Sequence, residues 1–214
     1  MGRSAISDQI TADNGIASDK RLFGRRLVLI NIWNGGIGRA DPIAEVLLAQ
    51  RADIYLLTEC SDAEVWDRLQ LRVGEEFHAV RVGPYAVLSR QIVLHSHWSV
   101  RQKRALFAFD DDFVIGAAEN VPGEAERDYN AVTLWAISGT QGIRAPAGWT
   151  LNGDQPTFPT TVPVTQADAW LLPATATRQA HWRSHLETDR LAVYASCHLP
   201  VVLEFAAEDG TWPS

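Results

Sequence analysis

Short apolar runs that alternate with polar, capped helical stretches mark this chain as an α/β protein. Three observations carry that reading. An apolar run over 27–32 ends in a glycine-rich turn, a helical stretch follows, and a second apolar run occupies 54–57. Strand, helix and strand with tight polar exits imply a crossover unit, and ligands in such sheets gather at the carboxyl ends of strands. Asn31 and Glu59 both lie at such ends.

Leu27 to Ile32 reads as a buried strand broken only at Asn31, and Trp33, Asn34, Gly35 and Gly36 follow it. Asp41 is expected to cap a helix with Pro42 at its first position and Ile43, Val46 and Leu47 on its buried face. Ile54 to Leu57 forms the second strand, and Ser61 with Glu64 has the spacing of a capping box for another helix. Tyr85 to Leu88, Ala105 to Phe109 and Phe113 to Ala117 read as strands, with Asp110, Asp111 and Asp112 as the hairpin turn between the last two. Glu124 to Ile137 looks helical. Ser138 to Pro163, rich in Gly, Pro, Thr and Asn, reads as a long loop of the kind that often carries function. Ala167 to Leu172, Leu191 to Ala195 and Val201 to Phe205 read as the closing strands.

A chain of 214 residues, 46% hydrophobic and 21% charged, suits one domain with one sizeable core. We expect a polar N-terminal tail over 1–24, the domain over 25–206 and a C-terminal tail over 207–214. The net charge of −7 argues against tight, sequence-blind binding of nucleic acid, which needs clustered Lys and Arg. A phosphorylated small molecule or a locally held phosphodiester suits it better. Two cysteines, Cys60 and Cys197, cannot build a disulfide framework or a four-cysteine zinc site. The first 24 residues lack the apolar core of a signal peptide and no stretch approaches a membrane span, so a soluble, cytoplasmic protein is expected.

Several segments, in order, resemble the endonuclease/exonuclease/phosphatase family of metal-dependent phosphoester hydrolases. Leu27-Val-Leu-Ile-Asn-Ile-Trp-Asn-Gly-Gly resembles its opening strand, and Asp53-Ile-Tyr-Leu-Leu-Thr-Glu59 its second strand. Tyr85-Ala-Val-Leu-Ser-Arg90 looks like the family's "ILSR" strand. Pro156-Thr-Phe-Pro159 with Gln166-Ala-Asp-Ala-Trp170 is similar to its "TFP" loop and Arg-Ile-Asp-Tyr strand. Ala195-Ser-Cys-His-Leu-Pro-Val-Val202 resembles the closing Ser-Asp-His-x-Pro-Val motif, with Cys197 where the family has Asp.

The resemblance implies a four-layer αββα sandwich and Mg²⁺-dependent (or Mn²⁺-dependent) phosphoester hydrolysis. It implies Asn31 and Glu59 as metal ligands, and oxygen donors of that kind suit a hard cation. It implies His198 as the catalytic imidazole contacting the phosphoryl oxygen, held in one tautomer by Asp168. The family's Gly-Asp-x-Asn motif, whose Asp activates water, has no clean counterpart. One register lays Gly116 to Pro122 over it, keeps Asn120 for substrate binding and puts Ala118 near the Asp place. The preferred register makes Arg127, Asn130, Ala131 and Leu134 a following helix, removes the motif's strand between Ile137 and Pro156, and so shortens one sheet. Either register leaves out the water-activating carboxylate, and loss of a general base costs ~10² to 10⁴ in rate. The expectation is therefore an impaired hydrolase; the alternative is a catalytically inactive relative that binds a phosphorylated ligand or protein partner. Glu119, Asp128 and Asp154 are the carboxylates that could stand in for the missing one.

Blander readings compete with these. Asn31 can close a turn and Glu59 can serve a helix dipole, so only the pair favours metal. Cys197 and His198 are adjacent in sequence and point apart on a strand, which leaves Cys197 structural. His95 with His97, and His181 with His185, read as surface residues.

Overall fold

The computed structural model of the chain describes residues 22–110, 113–121, 132–139, 143–151, 156–158, 166–174 and 181–213. Its strands are β1 (Arg26–Asn31), β2 (Ile54–Thr58), β3 (His78–Val82), β4 (Tyr85–Ser89), β5 (His95–Ser99) and β6 (Arg104–Asp110). There follow β7 (Phe113–Ala118), β8 (Val132–Ser138), β9 (Trp149–Leu151), β10 (Asp168–Pro173), β11 (Trp182–Leu186) and β12 (Val201–Phe205). Three helices are described, α1 (Ala40–Gln50), α2 (Ala63–Val73) and α3 (Arg190–Ala195).

The strands form two six-stranded mixed sheets, ordered β11-β12-β1-β2-β4-β3 and β5-β6-β7-β8-β10-β9. Each is built around one parallel pair, β1 with β2 and β7 with β8, flanked by antiparallel neighbours. The inner faces meet in a core of aliphatic and aromatic side chains, Leu27, Leu29, Ile54 and Leu56 packing with Phe107, Ile115, Leu134 and Trp170. The outer face of the first sheet is covered by all three helices, through Val28, Ile30, Ile43, Leu47, Trp66, Leu69 and Ala195. The outer face of the second sheet buries Trp135, Ile137 and Leu171 against Val121, Ile143 and Trp149, and among the described residues no helix covers it.

Most local expectations hold, and the departures have local causes. The helix after β1 begins at Ala40, so Pro42 sits in its third position, and the capping residue is Arg39 with no side-chain cap. Asp41 does not cap because both its oxygens are taken by Arg68 of α2, at 3.0 and 2.7 Å. The cap of α2 is Asp62 rather than Ser61, its Oδ1 accepting from the Val65 N–H at 2.9 Å. Leu191 to Ala195 is helix α3, not a strand. Asp189 caps it, accepting from the Ala192 N–H, and its buried residues recur at three positions, Ala192 and Ala195, rather than two. Trp149–Leu151, read as loop, is a short edge strand on β10.

The largest correction concerns residues 132–138. The helix expected over Glu124 to Ile137 does not exist in its second half, where β8 runs parallel to β7 through the middle of the second sheet. Residues 122–131 lie outside the described residues. Thr133 to Ile137 are buried one after another, as a strand covered on both faces must be, and such a run carries no period to separate it from a buried helix. Leu134 is therefore part of a strand rather than a helix, and the second sheet has six strands like the first, so it is not shortened relative to it. No described helix is long and apolar enough to cross a membrane.

Candidate active site

Asn31 ends β1 and Thr58 ends β2, and parallel pairing sets them side by side. Ser138 ends β8, paired with Asp168 at the start of β10. The packed sheets bring these four buried residues to one end of the sandwich, where they share a hydrogen-bond network. Asn31 Nδ2 and Thr58 Oγ1 each donate to Ser138 Oγ at 3.0 Å, and that hydroxyl donates to Asp168 Oδ1 at 2.6 Å. A hydroxyl has one proton to give and two lone pairs, so Ser138 is fully occupied. It is the link between the two sheets.

On one side of Ser138 stands Glu59, directly after β2 and in the left-handed backbone region at φ 59°. Its Oε1 accepts from Asn31 Nδ2 at 3.0 Å and its Oε2 from the Asn34 N–H at 2.9 Å. Asn31 Oδ1 accepts from the Trp33 N–H at 2.8 Å. These donors fix the amide of Asn31 with its nitrogen toward the glutamate and its oxygen toward the loop. On the other side stands His198, in the turn after α3. Its Nδ1 lies 2.7 Å from Asp168 Oδ2, and because a carboxylate only accepts, Nδ1 carries the proton. Thr157 Oγ1 donates to the same carboxylate oxygen at 2.9 Å. The His198 N–H donates to Ser196 Oγ at 3.1 Å, and that hydroxyl donates to the Asn31 carbonyl, tying the histidine turn to β1. The Phe158 ring tilts over the imidazole with centroids 4.8 Å apart.

Asn31, Glu59, Asn120 and His198 line one cleft of about 690 Å³, together with Ser138, Glu119, Arg144, Trp33 and Phe158. Asp168 lies behind His198 and outside that lining. Of the three carboxylates considered as replacements, Glu119 reaches the cleft, ion-paired to Lys103 Nζ at 3.0 Å, while Asp128 and Asp154 fall outside the described residues. Ser138, Thr58 and Thr157 are site residues that sequence reading missed. Thr58 and Thr157 lie within the second-strand and "TFP" segments, while Ser138 sits where the sequence predicts the start of a loop.

Among the described residues, no three His, Cys, Asp or Glu side chains gather around a metal-sized space. The donors that fit a cation are the oxygens of Glu59, each accepting one N–H and keeping a lone pair, with Asn31 Oδ1 beside them. A single carboxylate in an open cleft suits Mg²⁺ or Mn²⁺ with most of its waters retained, and does not suit zinc. The Cys197 thiol is pushed up to about 11 and the Cys60 thiol to about 12, both chiefly by burial, so both are neutral at physiological pH and poor metal ligands. His95 and His97 are exposed on edge strand β5, and His181 and His185 are exposed at β11.

No protein-family model matches this sequence, and no curated protein matches it either. Solved structures do match. A humanized D. rerio TDP2 carrying 14 mutations superposes with a TM-score of 0.63 at 14% identity, over 86% of this chain and 99% of that one. A Staphylococcus aureus beta toxin variant with bound magnesium ions gives 0.62 at 11% identity, over 86% and 99%. The 3'-5' exonuclease NExo from Neisseria meningitidis gives 0.61 at 13% identity, over 85% and 99%. With two packed mixed sheets and these neighbours, the chain has the fold of the endonuclease/exonuclease/phosphatase superfamily.

Proposed function

We propose that this protein is a metal-dependent phosphoester hydrolase whose turnover is reduced by the serine at the end of β8. The observation that carries the proposal is the unbroken run of hydrogen bonds from Glu59 through Asn31, Ser138 and Asp168 to His198 along one cleft. The neighbours support hydrolysis of phosphodiesters as the reaction class, one being an exonuclease and another carrying magnesium ions.

Each side chain has a role its geometry permits. Glu59 would hold Mg²⁺, or Mn²⁺ in its place, with Asn31 Oδ1 beside it, and Asn31 fixes the carboxylate through its amide nitrogen. The cation, when bound, supplies neutralisation of the charge that builds on the phosphoryl oxygens. His198, with Nδ1 committed to Asp168, presents Nε2 to a phosphoryl oxygen. Asn120 binds the phosphate. In the register that lays Ser138-Gly139-Thr140 over the family's Asp-x-Asn segment, Ser138 takes the place of the water-activating Asp. With its proton and both lone pairs engaged, it activates no water, and Glu119, which lines the cleft, is the remaining candidate for that task.

The saturation of Ser138 favours a second reading, in which the cleft binds a phosphorylated ligand or partner without turnover. A phosphodiesterase assay on bis-p-nitrophenyl phosphate with added Mg²⁺ or Mn²⁺ separates the two. Slow, metal-dependent release that disappears in Glu59→Gln and His198→Ala supports the hydrolase. Rates ordinary for the superfamily overturn the impairment, and phosphate-ester binding without turnover, indifferent to Glu59→Ala, supports the second reading.

A further inference from the structure

Trp33 borders the cleft and holds a backbone conformation that bulky residues rarely adopt. Four successive residues, Trp33, Asn34, Gly35 and Gly36, have φ between 47° and 72°. Glycine adopts that region freely, but a bulky residue there carries backbone strain. The loop is nevertheless braced from several sides. The Arg39 guanidinium donates to the carbonyls of Ile32, Trp33 and Ala195 and lies 5.5 Å from the centre of the Trp33 ring. Asn31 Oδ1 and Glu59 Oε2 accept from the Trp33 and Asn34 N–H groups. After all this bracing the residue is still 50% exposed, and it borders the cleft.

A lone exposed tryptophan needs no explanation. Here a second exposed aromatic, Phe158, lines the same cleft against the His198 ring, and Ile143 and Val121 line it too. The only Lys or Arg in the lining is Arg144, among the described residues. Such a site offers apolar and π surface beside its polar centre and little attraction for an extended polyanion. Its volume suits a ligand of mononucleotide size.

Resting on the phosphoester reading above, we infer that the cleft takes a small phosphate ester whose other half is a planar aromatic ring, stacked on Trp33. The ring is a nucleobase or an aryl group, since each presents a π-face of the kind the indole binds. Trp33 is then the specificity-determining residue, and Glu59 and His198 act on the phosphate whatever its substituent.

Isothermal titration of the full chain in Mg²⁺ buffer with thymidine monophosphate, p-nitrophenyl phosphate and ribose phosphate tests this. One or both aromatic esters should bind roughly tenfold tighter than ribose phosphate, the scale of one stacked base. Trp33→Ala should erase that preference, and Trp33→Phe should retain part of it. A gain confined to thymidine monophosphate identifies a nucleobase, and an equal gain for both identifies any planar ring. Equal binding of all three by the wild type, or a preference that survives Trp33→Ala, overturns the inference and leaves the phosphoester reading standing. If none of the three binds, both fall.

Discussion

The parallel pairs at the centres of the two sheets are alike in architecture and different in what they place at their carboxyl ends. β1 and β2 end in Asn31 and in Thr58 followed by Glu59, while β7 and β8 end in Ala118 followed by Glu119 and in Ser138. The first pair delivers a hydrogen-bonded carboxylate to the cleft. The second delivers a saturated hydroxyl, and a glutamate already paired to Lys103. The contrast teaches that the sandwich keeps its site assembled without a carboxylate on β8, because Ser138 accepts and donates every hydrogen bond needed to join the sheets. Cohesion and catalytic power are separable here, and the separation can be tested.

The largest effect should come from the histidine that both halves support. His198→Ala is expected to lower metal-dependent kcat by ~10² to 10⁴, measured on bis-p-nitrophenyl phosphate. A loss below tenfold would remove His198 from the chemistry. Next, Ser138→Asp tests the contrast itself by giving the second pair its own carboxylate. We expect kcat to rise by up to ~10², short of the full gain from a general base because Asp168 lies alongside as a like charge. An unchanged or lower rate in a folded variant would break the contrast.

Ser138→Ala is expected to act on stability. It removes the buried partner of one Asn31 N–H, of the Thr58 hydroxyl and of Asp168 Oδ1, which should cost about 1–3 kcal/mol in urea unfolding. A neutral result would show that Ser138 does not join the sheets.

The smallest effect belongs to the opposite end of β1, where fully buried Glu204 accepts from Arg26, with Arg183 as a second cationic partner. Burial raises its pKa, but the Arg183 and Arg26 guanidiniums outweigh burial and hold the carboxyl below the ordinary glutamate value near 4.5. A depressed folded value means that this contribution is present above the ordinary value and lost as pH falls through the folded one. The melting temperature of the wild type should therefore drop on acidification below about pH 4.5, more steeply than that of Glu204→Gln, with turnover at neutral pH unaffected in the variant. Parallel acid profiles for the two would remove Glu204 as the source.

The first sheet was largely readable before any coordinates. Its strands β1, β2, β4 and β12 are apolar runs, and Asn31 and Glu59 stand out because they interrupt or follow such runs, whereas the edge strands β3 and β11 mix polar residues in and carry no such mark. Asp168 and His198 were likewise readable through the motifs around them. The second sheet was harder. Thr133 to Ile137 face packed side chains on both sides and so lose the alternation that marks a half-buried strand. Taking that stretch for a helix made Ser138 a loop residue and hid the position on which the site turns. The caps at Arg39 and Asp62 were misplaced by one or two residues, since neighbouring polar side chains compete for the same N–H groups and Arg68 draws Asp41 away.

What the chain's order of residues settled alone was local: where apolar segments run, where they stop, and which polar side chains sit at those stops. Hydrophobic burial and backbone hydrogen bonding act over a few neighbours, so their marks survive in one dimension. Which stops meet was settled by packing. Asn31, Thr58, Ser138, Asp168 and His198 are spread over most of the chain, and only the stacking of one sheet on the other, driven by the buried face between them, brings the five within hydrogen-bonding reach.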